Sequence, residues 1–494
     1  MQQKFLKNLV LLLVLNLMIK PFWLLGIDRT VQNTVGAADY GFYFALFNFS
    51  FLFSILLDFG ITNFNNRNIA QNSQLIKKHL SNIVVIKFLL LAIYMVFTFA
   101  GALLIGYSKA QINMLFFLAI NQFIAGFILY LRSNLSGLHY FKTDAFISIL
   151  DRSLIIIICG VLLWGNVLSD FKIEYFVYAQ TASYLITAVI TFFIVLKKSE
   201  SVFFRLNWNF AFILMIIKKS IPFALLVLLM TFYNRVDSVM LERMLKDGSV
   251  FSGIYASAYR ILDASNMIAY LFAVLLLPIF AKMIKQSQPV NDLVKLSFTL
   301  LITAAVIAGV AALFYSGEIM RLLYSIHPDE SLETYNYRIV ESARVFSFLM
   351  MCFIAICSNY IFGTLLTANG NLKFLNIVAL SGLTLNFVLN LFFIPVYKSS
   401  GAAFASLLTQ ILVATAQIWL SIKIFKMKAN YGYLIKLIVF VVSVLMINFF
   451  FANSGLSWHY SLFLAAVLGF SVAVAINLVQ IKKIFRLLFV NFEP

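Results

Sequence analysis

Charge is scarce in this chain, and acidic charge scarcest: Asp and Glu number 19 in 494 residues, against 37 Lys and Arg. With 11% charged and 62% hydrophobic residues and a mean hydropathy of +0.95, it lacks the polar groups needed to cover a globule of this size, which excludes a soluble domain. Cysteine is nearly absent. Cys159, Cys352 and Cys357 all fall in apolar stretches, and an odd set of such thiols supports neither a disulfide framework nor a metal site. The four histidines, His79, His139, His327 and His459, lie in connections with no ligand spacing between them. No metal-ligand spacing, phosphate loop or nucleophile elbow appears. Catalytic residues, a bound metal and a cofactor are therefore not expected, and the chain does not read as an enzyme.

What the chain has instead is long apolar runs. A helix rises about 1.5 Å per residue, so about 20 apolar residues cross roughly 30 Å of hydrocarbon. Such runs lie at roughly 8–27, 40–62, 84–106, 113–131, 145–165, 173–196 and 211–237 in the first half. The second half repeats them at roughly 251–280, 296–316, 340–366, 372–396, 401–424, 433–452 and 460–481. The fold class expected is an all-α polytopic membrane protein with about 14 transmembrane helices. The first run reaches spanning length without a small-residue cleavage site and is expected to remain as a signal anchor.

The cations gather on one side: Arg67, Lys77 and Lys78; Lys197, Lys198, Arg205, Lys218 and Lys219; Lys282, Lys285 and Lys295; Lys423, Lys426 and Lys428. The tails add Lys4, Lys7, Lys482, Lys483 and Arg486. By the positive-inside rule both termini are expected in the cytoplasm. The net charge of +18 then reflects orientation and contact with anionic membrane lipids, and no nucleic-acid partner is expected.

A short pattern recurs about 212 residues apart. Gly36, Gly41 and Tyr43 stand at the junction of the first and second runs; Gly248, Gly253 and Tyr255 stand at the junction of the seventh and eighth. A repeat at the same point of two six-span halves is the mark of a duplicated carrier, with its site expected near the midplane where the halves meet.

Four stretches make a family resemblance specific: YGFYFALFNF from Tyr40; LLDFGITN from Leu56; NRVDSVML from Asn234 followed by GIYASAYRILD from Gly253; and IPVYKSSGAAFASLLTQ from Ile394. Together they resemble the polysaccharide-transport, O-antigen-type oligosaccharide-lipid flippases of the multidrug, oligosaccharidyl-lipid and polysaccharide exporter superfamily. The resemblance implies two pseudo-symmetric six-helix lobes, 1–198 and 199–430, with two further helices and a cytoplasmic tail in 431–494. It also implies a V-shaped cavity between the lobes and alternating access. The cargo implied is a polyprenyl-diphosphate-linked oligosaccharide, moved from the cytoplasmic to the outer leaflet of a bacterial inner membrane for surface polysaccharide biosynthesis, lipopolysaccharide O-antigen included. A monomer is implied, with a polysaccharide polymerase and glycosyltransferases as further partners. In one place the chain departs from the family: the usual arginine, leucine, glycine cluster before the first tyrosine is replaced by IDRTVQNTVGAADYG from Ile27.

Polar residues inside spans carry the functional expectation, because an Arg or Asp at a helix centre costs about 2.5–3.5 kcal/mol on insertion scales. Lys20, Arg235, Arg260 and Arg152 are the candidate cations for a diphosphate, since a guanidinium fork pairs with phosphate oxygens. Asn386 and Asn390, one turn apart, either contact sugar or bridge helices. Asp237, Asp263 and Asp58 are the candidates for proton or sodium coupling. Arg260 and Asp263, three apart, could equally neutralise each other, whereas Arg235 and Asp237, two apart, point to different sides of one helix. Lys20 directly precedes Pro21 and reads either as a hinge-side cation or as a snorkelling lysine. Asp28 and Arg29 are expected at the interface. Arg67, Arg132, Lys142 and Arg152 could form a cationic entrance, and Gly317 to Arg338 is expected to be a solvated outer cap. The alternatives are an ion-coupled drug or metabolite antiporter of the same superfamily, a peptidoglycan-precursor flippase and, from another class, a membrane polysaccharide polymerase or ligase.

Overall fold

A computed structural model describes residues 14–16, 18–62, 65–66, 69, 72–165, 167–168, 170–199, 210–427 and 430–479. Among them the regular structure is helical: a π-helical turn at Trp23–Asp28, a 3-10 turn at Ser54–Leu57, and twelve α-helices. In the first half these are α1 (Arg29–Leu52), α2 (Leu75–Ile105), α3 (Lys109–Gly137), α4 (Phe141–Trp164), α5 (Ile173–Ser199) and α6 (Phe210–Met244). The second half has α7 (Gly248–Lys285), α8 (Asn291–Leu323), α9 (Leu332–Ala368), α10 (Leu372–Phe425), α11 (Tyr431–Ala452) and α12 (Trp458–Ala475). Helices are what a bilayer permits, because every backbone polar group must be satisfied within the span.

Eleven of these helices are long and apolar enough to cross a membrane, and two breaks bring the expected fourteen crossings into view. The 54-residue α10 turns at Lys398, whose φ of 51° and ψ of −127° are not helical, so it is two spans joined end to end. In the same way α1 is broken at Gly36, at φ 78° and ψ 172°, dividing a first crossing from a second. Side chains such as Leu104, Phe392 and Phe463 stand exposed, as lipid-facing positions of a multi-pass membrane protein do.

By backbone contact the chain divides into two compact units, Met1–Ser257 and Ala258–Pro494, so that the division falls within α7. In the first unit Ile83, Val84 and Leu90 of α2 pack with Tyr130, Leu131 and Leu135 of α3, Ile147 of α4 and Val195 of α5. Local signals set the ends. Ser108 and Gln111 form a capping box at the start of α3, and Gly106, at φ 80°, ends α2 in the left-handed conformation. Arg243 donates to the Ile105 carbonyl at 2.7 Å, a cation where a helix C-terminus favours one.

In the second unit α11 and α12 dock on α8 through Ile302, Val306, Val310, Phe440, Val444 and Ala473. Glu341 receives the Ser400 N–H at 3.0 Å and hydroxyl at 2.7 Å, capping the second limb of α10 just past its break. The outer cap expected from Gly317 to Arg338 shrinks to the connection between Leu323 and Leu332. The cause is helix length: the 33 residues of α8 and 37 of α9 carry each helix well beyond the roughly 30 Å of hydrocarbon at about 1.5 Å per residue. Within the connection Arg338 grips Glu330 with two hydrogen bonds, both 2.8 Å, and Ser331 caps α9 by accepting from the Thr334 N–H at 3.2 Å.

Candidate functional site

The first unit holds a polar cluster inside apolar helices, and a π turn positions it. Such turns insert a residue into a helix and often stand at functional sites; here Trp23–Asp28 brings Asp28 to full burial, at 0% exposure. Tyr40, beyond the Gly36 break, donates its hydroxyl to the Asp28 carboxylate at 2.6 Å. The interfacial position expected for Asp28 is corrected by this. The π turn changes which side of the helix Asp28 faces, and the break at Gly36 brings Tyr40 back to meet it.

Arg152 of α4 lies beside this turn. Its guanidinium carbon is 4.3 Å from the Trp23 ring centroid and 5.5 Å from that of Tyr184, and Nη1 donates to the Tyr184 hydroxyl at 2.8 Å. The Asp151 carboxylate is 3.8 Å away, and Lys20 and Tyr43 are within electrostatic range. The structure thus brings together two of the expected cations, Lys20 and Arg152. The aromatic faces hold the guanidinium plane, and such cation–π contacts reach about 2 kcal/mol or more when desolvated. Tyr43 in turn accepts from Gln180 of α5 at 3.0 Å.

Arg235 and Asp237 of α6 separate as their spacing requires. Arg235 donates to the Asn48 amide oxygen at 3.3 Å and lies 5.4 Å from the Phe51 ring, while Asn48 donates to Ser238 at 2.8 Å. Asp237, at 0% exposure, accepts from the Tyr255 hydroxyl at 2.8 Å. Tyr43 and Tyr255, the tyrosines of the repeat, are therefore both buried and each is hydrogen-bonded to a polar side chain of another helix. Between them the glycines meet: a Cβ on Gly253 would lie 1.9 Å from the Ala37 carbonyl oxygen, and Gln32 donates to the Gly253 carbonyl at 3.1 Å.

The remaining expected residues are engaged as follows. In the second unit Arg260, 5% exposed, lies 3.8 Å from Asp263. Asn390 donates to Asn386 at 3.2 Å. In the first unit Asp58 ends the second crossing: it accepts from the Gly60 N–H at 3.1 Å and the Thr62 N–H at 3.2 Å, and pairs with the Thr62 hydroxyl and the buried Lys87 ammonium. Of the cationic entrance, Arg132 is paired with Asp144 at 2.7 Å, Lys142 is exposed, and Arg67 lies outside the described residues. Sequence reasoning missed Tyr40, Asn48, Lys87, Gln180 and Tyr184. Only the polarity of a side chain within an apolar run could have marked them.

The model of a family described as polysaccharide biosynthesis protein matches residues 5–284. Among solved structures the chain is similar to the lipid II flippase MurJ in an inward closed conformation, at 14% identity and a TM-score of 0.69, over 97% of this chain and 99% of that one. An inward-facing multidrug resistance MATE family transporter of the MOP superfamily aligns at 14% identity and a TM-score of 0.60, over 84% of this chain and 98% of its own. A MOP superfamily transporter from Pyrococcus furiosus aligns at 16% identity and a TM-score of 0.58, over 85% and 97%. At these identities the likeness is one of fold. No curated protein sequence matches the chain.

Proposed function

Because the chain belongs to the polysaccharide biosynthesis protein family, we propose that it is a flippase, which moves a polyprenyl-diphosphate-linked oligosaccharide from the cytoplasmic to the outer leaflet of a bacterial inner membrane. The observation that carries this reading is that a protein of polysaccharide biosynthesis is built of apolar membrane helices in the fold of MOP superfamily transporters. That combination supports moving an intermediate across the bilayer over polymerising one. The share of the chain aligned, 97% with the flippase and 84% with the multidrug transporter, favours the lipid-linked cargo.

The chemistry fits the cargo. A sugar head cannot enter hydrocarbon, where each unpaired hydroxyl costs several kcal/mol, and a doubly charged diphosphate needs cations along its path. Arg152, with its plane held by Trp23 and Tyr184, and Arg235, beside Asn48, supply forked donors for phosphate oxygens. Lys20 adds a further charge near Arg152, and Arg260 lies in the second unit. Asn386 and Asn390, already bonded to each other, serve helix packing as well as any sugar contact. Proton or sodium coupling falls to the acids inside the spans, Asp237, Asp263 and Asp58: Asp237 accepts from Tyr255, Asp263 pairs with Arg260 and Asp58 with Lys87. The lobes 1–198 and 199–430 rock about this path in an alternating-access cycle. The protein works as a monomer and hands its cargo from glycosyltransferases to a polysaccharide polymerase.

The test is to delete the gene and locate the lipid-linked oligosaccharide by leaflet, with a sugar-modifying enzyme that cannot cross the membrane. Protected units accumulating inside support a flippase, and complementation by Arg152→Ala, Arg235→Ala or Arg260→Ala should leave them protected. Accessible units accumulating outside would mean a polymerase or ligase, and unchanged lipid-linked sugar an antiporter.

A further inference from the structure

Where α11 and α12 dock on α8, a cavity of about 350 Å³ lies at the edge of their apolar contact, with Leu300, Tyr433, Leu478 and Val479 shared between the two. It opens at the N-termini of α8 and α11, the end that also carries Lys282 and Lys285 before α8 and Lys423 and Lys426 before α11. Positive-inside reasoning assigns that end to the cytoplasm. The size is that of a small-ligand pocket, and its lining is divided by chemistry.

Lys295 of α8 and Lys436 of α11 line it, with Asp292 as the single acid at the rim. Both lysines are exposed. Tyr433 fixes the wall between them: its hydroxyl is 2.9 Å from that of Thr299, and its ring holds the Lys295 ammonium 4.9 Å from its centroid. Asn430 presents an amide while capping α11 through the Tyr433 N–H at 2.9 Å. Leu296, Leu300, Leu478 and Val479 make the rest of the lining apolar. Two cations, a phenol and an amide beside leucines and a valine complement an anionic head on an apolar tail.

We propose that this cavity is a binding site for the phosphate headgroup of an anionic glycerophospholipid of the inner leaflet, seated between α8 and the last two helices. Lys295 and Lys436 take the phosphate oxygens, Tyr433 and Asn430 the polar groups around them, and the acyl chains run along α8 and α11. Basic pockets between helices on the cytoplasmic side bind such heads, each lysine near the surface contributing about 1 kcal/mol. Bound there, the lipid ties α11 and α12 to α8. The site is independent of the cargo path and stands or falls apart from the flippase reading.

The experiment uses the full-length protein, delipidated in a neutral detergent. Phosphatidylglycerol, phosphatidylcholine, a polyprenyl phosphate and inorganic phosphate are titrated separately, with binding read by native mass spectrometry and by the unfolding midpoint. Phosphatidylglycerol should bind and raise the midpoint. K295Q and K436Q should each weaken it about fivefold and together about 25-fold, while K172Q, at an exposed lysine of the first unit, leaves it unchanged. Unfolding midpoints without lipid should match across the variants; if the double variant fails to fold, the exposed Lys436→Gln alone keeps the test. Equal binding of phosphatidylcholine, equal stabilisation by inorganic phosphate, unchanged affinity in the lysine variants, or a preference for polyprenyl phosphate lost on the same substitutions would each overturn the proposal.

Discussion

Gly41 and Gly253 meet backbone to backbone: a Cβ on Gly41 would lie 1.8 Å from the Ser249 carbonyl oxygen and 2.4 Å from the Gly253 nitrogen. No rotamer relieves a clash with main chain. Gly41→Ala or Gly253→Ala should therefore force α1 and α7 apart and cost about 1–3 kcal/mol or more, the range for overpacking. Gly126→Ala, with nothing within 4 Å of its Cβ, should be silent. Unfolding midpoints of the three variants in detergent check this, and a Gly41→Ala protein as stable as Gly126→Ala would refute it.

Removing the donor to Asp237 isolates the second tyrosine of the repeat. Tyr255→Phe keeps the ring and deletes the 2.8 Å hydrogen bond, so it should cost about 1–2 kcal/mol, as for polar contacts within a bundle. Asp237→Asn, which still accepts the hydroxyl, should fold with smaller loss and lose ion dependence of transport if Asp237 is the coupling group. Ion dependence that persists in Asp237→Asn refutes that assignment.

Arg152→Lys tests planarity against charge. An ammonium cannot reproduce the stacking on Trp23 and Tyr184 together with the bond to the Tyr184 hydroxyl. Flipping should fall at least tenfold in the lysine variant while expression holds, measured by outer-leaflet access to the lipid-linked sugar. Full activity would mean that charge alone suffices.

At the connection between α8 and α9, burial alone would push the Glu330 carboxyl up, but the hydrogen bonds and charge of Arg338, aided by His327, outweigh it and hold it below the usual carboxylate range. A carboxyl depressed on folding adds stability that is present above its unfolded pKa, about 4.3, and is lost as pH falls through the lower folded one. Between pH 7 and pH 3 the midpoint of the native protein should fall more than that of Glu330→Gln. Parallel curves would show that the pair contributes nothing.

The sequence displayed the spans, the repeat and the Arg260–Asp263 spacing because each is a local pattern: hydropathy over about 20 residues, a fixed interval, one helix turn. It displayed Arg152 because a cation inside an apolar run is conspicuous. It concealed Asp28, since a π turn leaves no trace in periodicity and burial depends on what Tyr40 does after the bend at Gly36. Lys87 escaped notice for a related reason: its partner Asp58 is 29 residues away, across a connection whose path no spacing rule predicts. The end of each long helix was misjudged at 317–338 because polar side chains read as loop, though helices extend freely into water.

The π turn at Trp23–Asp28 also acts as a phase shifter between the two ends of the first crossing. Each residue of an α-helix turns the chain by about 100°, so excising one residue within the turn would restore regular winding and rotate everything before it relative to Asp28. Lys20 would then swing from the Arg152 side toward another face, with every side chain of the protein retained except the one removed. Whether the first helix delivers its lysine to Arg152 is thus a matter of angle, held in a single extra residue.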